Sequence, residues 1–259
     1  MSIYSSFQGR VYLGKRDVNG NPIEVRSPGN VAELKLALST DVNEHFESST
    51  GQRALDHRMV KQKKATVNIT IEEFTKENLA LALYGNYVVG TTGTVTGESF
   101  GGATPVVGDR YTLAHPNVSS LVVVDSTPTT PLTLVSGADF TADSDFGAIQ
   151  LLRLNNGAGT PVPFVAPLKA SYSHGVVTEI GIFTQPFPER FVRFEGVNTA
   201  FNNAKVLVEF YRCAFDPLKE LSFISNDYNK FELDGSLLAD STKPYDAVLG
   251  QFGRIVQLS

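Results

Sequence analysis

Period-two alternation constrains this chain more than any other feature of its sequence. In "VAELKLALST" the apolar residues Leu34, Leu36 and Leu38 share one parity, while Glu33, Lys35 and Ser39 share the other. Successive side chains of an extended strand point to opposite faces, so this run has one face to bury and one to leave wet. A helix would use Leu34 and Leu38 but leave Leu36 off the stripe. "ATVNITIEEF" repeats the pattern, with Val67, Ile69 and Ile71 inward and Thr66, Asn68, Thr70 and Glu72 outward. The two runs are expected to pair as neighbours across a long polar loop from about 40 to 64.

The same texture recurs along the chain. Residues 10 to 26 read as a hairpin, with Val11 and Leu13 before an Asn19-Gly20 turn and Ile23 and Val25 after it. "VVTEIGIFT", "RFVRFEGVN", "KVLVEFYRCAF" and "NKFELDGSLLAD" are strand candidates rich in β-branched and aromatic residues, with Asn202-Asn203 at a bend. "TKENLALALYG" has the punctuation of a short helix: Thr75 as N-cap, Glu77 in the first turn and Gly85 as terminator. Asp216-Pro217 suits the start of one helical turn.

Composition shifts between about Asn86 and Gly175. This third of the chain holds half of the 22 glycines and seven of the 13 prolines, but only nine charged residues. "SLVVVD", "PLTLVSG", "AIQLLRL" and "PFVAPLKASY" suggest short strands between turn signals. The expected fold is mainly β: a sandwich or barrel over 1–85 and 176–259 with one packed helix and a long assembly loop. A small Gly/Pro/Thr-rich β subdomain over 86–175 is inserted into it.

Catalytic chemistry is not legible. The four histidines, His45, His57, His115 and His174, are scattered, and none stands at ligand spacing from another or from Cys213. Glu44, His45, Glu47, Asp56 and His57 fall in the polar loop, where solvated charge is the plainer reading. Glu72 and Glu73 are strand neighbours pointing to opposite faces, so a shared proton is not expected. Cys213, between Tyr211 and Phe215, reads as a small buried hydrophobe. No nucleophile elbow, phosphate loop or dinucleotide fingerprint is present. The expectation is therefore no enzyme, no cofactor and no metal site.

A net charge of −5 argues against a protein that coats nucleic acid. The opening "MSIYSSFQGR" lacks the charged head and apolar run of a signal peptide, and no stretch approaches the roughly 18 apolar residues of a membrane span. A soluble product made in the cytoplasm, with no membrane partner, is expected. Charge is unevenly spread in the polar loop. Asp41, Glu44 and Glu47 precede Arg53, Arg58, Lys61, Lys63 and Lys64, an arrangement that suits complementary surfaces on identical subunits.

Two long segments carry a resemblance. "GNVAELKLALSTDVNEHFESSTGQRALDHRMVKQKKATVNITIEEFTKENLALALYG", and "GIFTQPFPERFVRFEGVNTAFNNAKVLVEFYRCAFDPLKELSFI" followed by "FELDGSLLAD", resemble the major tail proteins, or tail tube proteins, of long-tailed bacteriophages. The resemblance implies a virion structural protein with a β-sandwich or barrel core, six copies per ring, and rings stacked into a hollow tube that conducts DNA. It implies contacts with itself, with a tape-measure protein, and with tail terminator and baseplate or tip proteins, while double-stranded DNA passes without specific binding. It also implies that the long loop becomes ordered on a neighbouring subunit or ring. Six copies at −5 would carry on the order of −30, a field that disfavours adhesion of passing phosphate. Glu33, Glu72, Glu179 and Glu209 are the candidate lumen-facing acids. A carbohydrate-binding or adhesin-like β module is the rival expectation; with no tryptophan, Tyr111 and Tyr172 would have to grip the sugar.

Overall fold

The structure, a computed structural model, describes residues 4–157, 159–244 and 250–258. Residues 1–3, 158, 245–249 and 259, which fall within the expected domain ranges, lie outside the described residues. The chain is mainly β. Its elements are β1 (Phe7–Arg16), β2 (Pro22–Arg26), β3 (Val31–Phe46), β4 (Leu55–Ile71), α1 (Lys76–Ala82), β5 (Tyr87–Val89), β6 (Gly93–Phe100), β7 (Arg110–Thr112) and β8 (Val118–Val124). There follow β9 (Phe140–Asp143), β10 (Ala148–Leu151), β11 (Leu168–His174), β12 (Thr178–Ile180), β13 (Glu189–Asn198), β14 (Ala204–Phe215), β15 (Phe231–Leu237) and β16 (Gly253–Leu258). Residues up to Tyr87 and from Ile180 onward form one compact unit; Val88 to Glu179 form a second.

The first unit is built on one antiparallel sheet in the order β2-β1-β13-β14-β15-β4-β3, with β16 also on β14. β14 makes this possible by dividing its far edge: Lys205 to Phe210 pair with β16, and Cys213 to Phe215 pair with β15. The strand path ends at β2 on one side and β3 on the other, so the expected barrel does not close among the described residues. Val67, Ile69 and Ile71 are buried as their parity requires, and they pack with Val11, Leu13, Val192, Phe215, Phe231 and Leu233. Thr70, expected outward, is also buried.

α1 shows why a seven-residue helix holds. Alone it would melt, because nucleation is unfavourable and so short a segment propagates too few bonds to offset it. Here Leu81 and Ala82 enter the core, and Thr75 Oγ1 accepts from the Asn78 amide at 3.3 Å. Asn78 is fully buried, yet each polar end of its side chain is engaged. Its Nδ2 donates to the Pro28 and Glu73 carbonyls at 2.7 and 2.8 Å, and its Oδ1 accepts from Arg26 Nη1 at 2.7 Å. The residue that turns left-handed after the helix is Tyr84, with φ of 51°, not Gly85. Gly85 is required for a different reason: a Cβ there would stand 1.8 Å from the Gly181 carbonyl oxygen.

Three further expectations are corrected. The polar loop from 40 to 64 is mostly strand, as described below. Asp216-Pro217 starts no helical turn, because the Asp216 and Leu218 amides donate to Asp234 and Ala82 carbonyls at 2.7 and 2.9 Å. "PLTLVSG" holds isolated bridges rather than a strand. The Asn202-Asn203 bend is present, with φ of 47° and 53° at the two residues.

The second unit contains two three-stranded antiparallel sheets, β7-β10-β9 and β6-β11-β8, around Phe100, Val123, Phe140, Ile149, Leu151 and Leu168. Its long connections are tied down by buried carboxylates. Asp125 accepts from the Thr127, Leu132 and Val165 amides at 3.1, 2.6 and 3.0 Å and from the Thr127 hydroxyl. Asp139 holds the Val135 amide and Arg153.

Candidate functional site

β3 and β4 remain paired far beyond the core. Their register runs from Val31 opposite Ile71 to Phe46 opposite Leu55, so all but the end of the expected loop is a two-stranded antiparallel ribbon. Sequence reasoning missed this because the distal strands are polar, and a ribbon exposed on both faces needs no hydrophobic alternation. The one cross-strand pair of opposite charge in its distal part, Glu44 with Arg58, is too little signal for a reading based on alternation.

From Ser39 to Lys64 no residue of the ribbon is buried. Its faces nevertheless differ. Counting outward from the core through the pairs Leu34–Ile69, Leu36–Val67 and Leu38–Ala65, the same face next presents Thr40–Lys63, Val42–Val60, Glu44–Arg58 and Phe46–Leu55. Register shifts make Lys61 and Asp56 extra residues, and these one-residue bulges keep the apolar pairs on that face. Leu38 is 74% exposed, and Phe46, Leu55 and Val60 are each about half exposed. The other face carries Lys35, Asp41, Asn43, Met59 and Lys64.

The tip is a closed turn. Glu47 accepts from the Ser49 amide and hydroxyl at 2.8 Å, from the Thr50 amide at 2.9 Å and from the Thr50 hydroxyl. These donors, Thr50 foremost, pull its carboxyl down to about 2. Glu44 and Arg58, expected to face another subunit, pair across the ribbon at 3.7 Å. His45 Nδ1 lies 2.6 Å from Asp56 Oδ1. Asp41, Arg53, Lys61, Lys63 and Lys64 are exposed and make no ion pair among the described residues. The eight charged residues are therefore gathered on one ribbon, but three of them are already engaged within it.

The four candidate lumenal acids do not form one set. Glu33 is exposed and pairs with Lys35 at 2.7 Å, and Glu72 is exposed and accepts from Asn30 Nδ2. Glu179 is exposed but belongs to the second unit. Glu209 is only 6% exposed, which removes it as a free acid facing a bore. It stands in register with Arg193 on β13 and Arg254 on β16, accepting at 2.8 and 2.6 Å. The sequence reading had no strand at β16, so the second arginine was not seen.

Other chemistry is sparse. Cys213 is fully buried, and burial pushes its thiol well above the usual range, consistent with a packing role. His115 and His174 stack with ring centroids 4.0 Å apart. Among the described residues no group of three or more His, Cys, Asp or Glu is arranged to hold a metal ion. Tyr172, required by the sugar-binding alternative, is buried with its hydroxyl on Glu98, and burial with that contact pushes it up to about 12.

A family model described as "Protein of unknown function UCP028589" matches residues 4–256 of the chain. No curated protein matches it.

Proposed function

The chain belongs to that family of unknown function, and we propose that it is a virion structural protein: a self-assembling, non-catalytic subunit of the tail tube of a long-tailed phage. The observation that carries this reading is the β3–β4 ribbon, fully paired yet uncovered, whose core-side face continues outward with the apolar pairs Val42–Val60 and Phe46–Leu55 set between the polar pairs Thr40–Lys63 and Glu44–Arg58. A two-stranded ribbon in water is marginal by itself. A surface of this kind is stabilised by a neighbouring subunit, and identical neighbours in a closed ring or stacked rings supply one to every copy. The edges left open at β2 and β3 among the described residues give the same argument a second footing, since an unpaired edge is a template for another strand.

In this reading six copies form a ring, the ribbon bridges to an adjacent subunit or ring, and DNA passes through an acidic bore without specific contacts. Glu33 and Glu72 remain candidates to face that bore; Glu179 depends on where the second unit lies in the assembly. A tape-measure protein occupies the growing tube, and terminator and tip proteins close its ends. Negative-stain microscopy of the purified chain, taken to high concentration, tests the reading. Stacked hollow rings are expected; a chain that remains a dispersed monomer at every concentration reached overturns it.

A further inference from the structure

At the base of the ribbon lies an apolar groove of about 350 Å³, floored by Leu36, Leu38, Phe210, Leu237, Phe252 and Ile255. Lys63, Lys64 and Arg254 line the same groove. Arg254 is committed to Glu209, but Lys63 and Lys64 make no ion pair among the described residues. Leu38 and Ile255, at 74% and 62% exposure, are left without a cover.

The same unit carries an unmatched projection. The connection from β14 to β15 exposes Phe223 at 85% and Ile224 at 97%. Two adjacent large apolar side chains so nearly bare lose their hydration cost only against a partner. The connection also carries two acids, Glu220 and Asp227, and one cation, Lys230, none of them in an ion pair among the described residues. Projection and groove are thus complementary in both respects: apolar key to apolar floor, and an excess of one acid on the projection to the unpaired Lys63, which shares the groove's face with Leu36 and Leu38.

Within one copy the two stand apart: Phe223 and Ile224 are almost fully exposed while Leu38 and Ile255 of the groove are uncovered, although the connection leaves β14 at Phe215, opposite Gly235 and two residues from Leu237. The projection is also anchored away from the groove, with the Leu218 amide bonded to the Ala82 carbonyl at the end of α1 and Leu218 and Leu221 packed on the core. We propose that Phe223 and Ile224 of one copy seat in the groove of a second copy, with Glu220 and Asp227 on the side of Lys63. Because the two surfaces differ, the contact is head-to-tail and each copy retains one free key and one free groove; such contacts propagate into rings or helical filaments. The assignment rests on the assembly reading above and names the joint between copies.

Two variants test it by complementation. Phe223→Ser with Ile224→Ser removes the key and keeps the groove; Leu38→Asp with Ile255→Asp spoils the groove and keeps the key. All four positions are exposed, so unchanged circular dichroism and melting are expected, and Lys63→Glu is the second groove variant should the first fail to fold. In sedimentation velocity each variant alone should show an apparent dissociation constant raised more than about 30-fold, the scale for a lost anchor. Mixed one to one, key-less and groove-less chains should form a dimer and nothing larger. Variants that assemble like the parent, or a mixture that stays monomeric, overturn this joint while leaving the assembly reading standing. A parent chain that never associates removes both.

Discussion

Cutting the ribbon back separates its role in folding from its proposed role between copies. Asp41 and Gln62 are cross-strand partners, so deleting Val42 to Lys61 and joining these two through Asn-Gly leaves a tight hairpin in register. None of the deleted residues is buried, and the unfolding free energy of the first unit is expected to change by less than about 1 kcal/mol. Association should change far more. Full burial of a Val, Leu or Phe side chain is worth roughly 1.5–3 kcal/mol. Phe46, Leu55 and Val60 each retain about half their surface to bury, so the face offers roughly 2–4 kcal/mol, or about 30- to 1000-fold in association constant. Thermal melts and sedimentation velocity across a concentration series measure the two quantities on one sample. A melting temperature lowered by more than about 10 °C would place the ribbon in the folding core. Unchanged association would remove it from the contact between copies.

Two further outcomes test local electrostatics. Glu209→Gln should destabilise the unit by about 1–2 kcal/mol in urea, since it leaves Arg193 and Arg254 facing a neutral amide, although their partial exposure moderates the loss. Glu33→Gln, at an exposed pair with Lys35, should do almost nothing, and equal effects at the two positions would contradict the burial argument. At the ribbon tip Glu47 is held at about 2, below its ordinary value of 4.5. Its folded value lies below its unfolded value, so its support of the turn is complete above about 4.5 and is lost as pH falls through about 2. The Ser49 and Thr50 amide signals should titrate with a midpoint near 2 and flatten in Glu47→Gln; a midpoint near 4.5 would show the turn unformed.

What the sequence made legible follows one rule: it revealed what a single segment decides and hid what two segments decide together. Val67, Ile69 and Ile71 needed only their own alternation, and Thr75 needed only the three residues after it. The change of composition near Asn86 and Gly175 stands a few residues from where the chain passes between its compact units at Tyr87 and Ile180. Glu209 looked free because the residues that engage it come from β13 and from a strand, β16, whose sequence alternates too briefly to stand out. Leu36 and Leu38 were read as core because alternation reports a face and not what covers it. The ribbon was hidden for the same reason: its pairs are Glu44 with Arg58 and Phe46 with Leu55, and neither strand announces the other.

An ordered ribbon alters how assembly would be controlled. A disordered arm that folds on its neighbour gives up about 2–5 kcal/mol of interaction energy to ordering, and this alone delays polymerisation. Here the strands are already paired and the tip is closed by Glu47, so in the proposed assembly docking would carry little of that cost and association would be favoured from the outset. Restraint must then come from another source. The ribbon carries Lys61, Lys63 and Lys64 close together without ion-pair partners among the described residues, and edge lysines disfavour strand-to-strand encounter with an equivalent edge. An equivalent surface on a second copy is repelled, whereas an acidic, apolar-tipped surface such as that around Phe223 and Asp227 is not. In the proposed assembly, selectivity for one orientation, rather than slow folding of an arm, would be the means by which open edges avoid indiscriminate aggregation. Raising ionic strength should therefore weaken the correct contact and relax this orientation control together, because both depend on the same exposed, screenable charges.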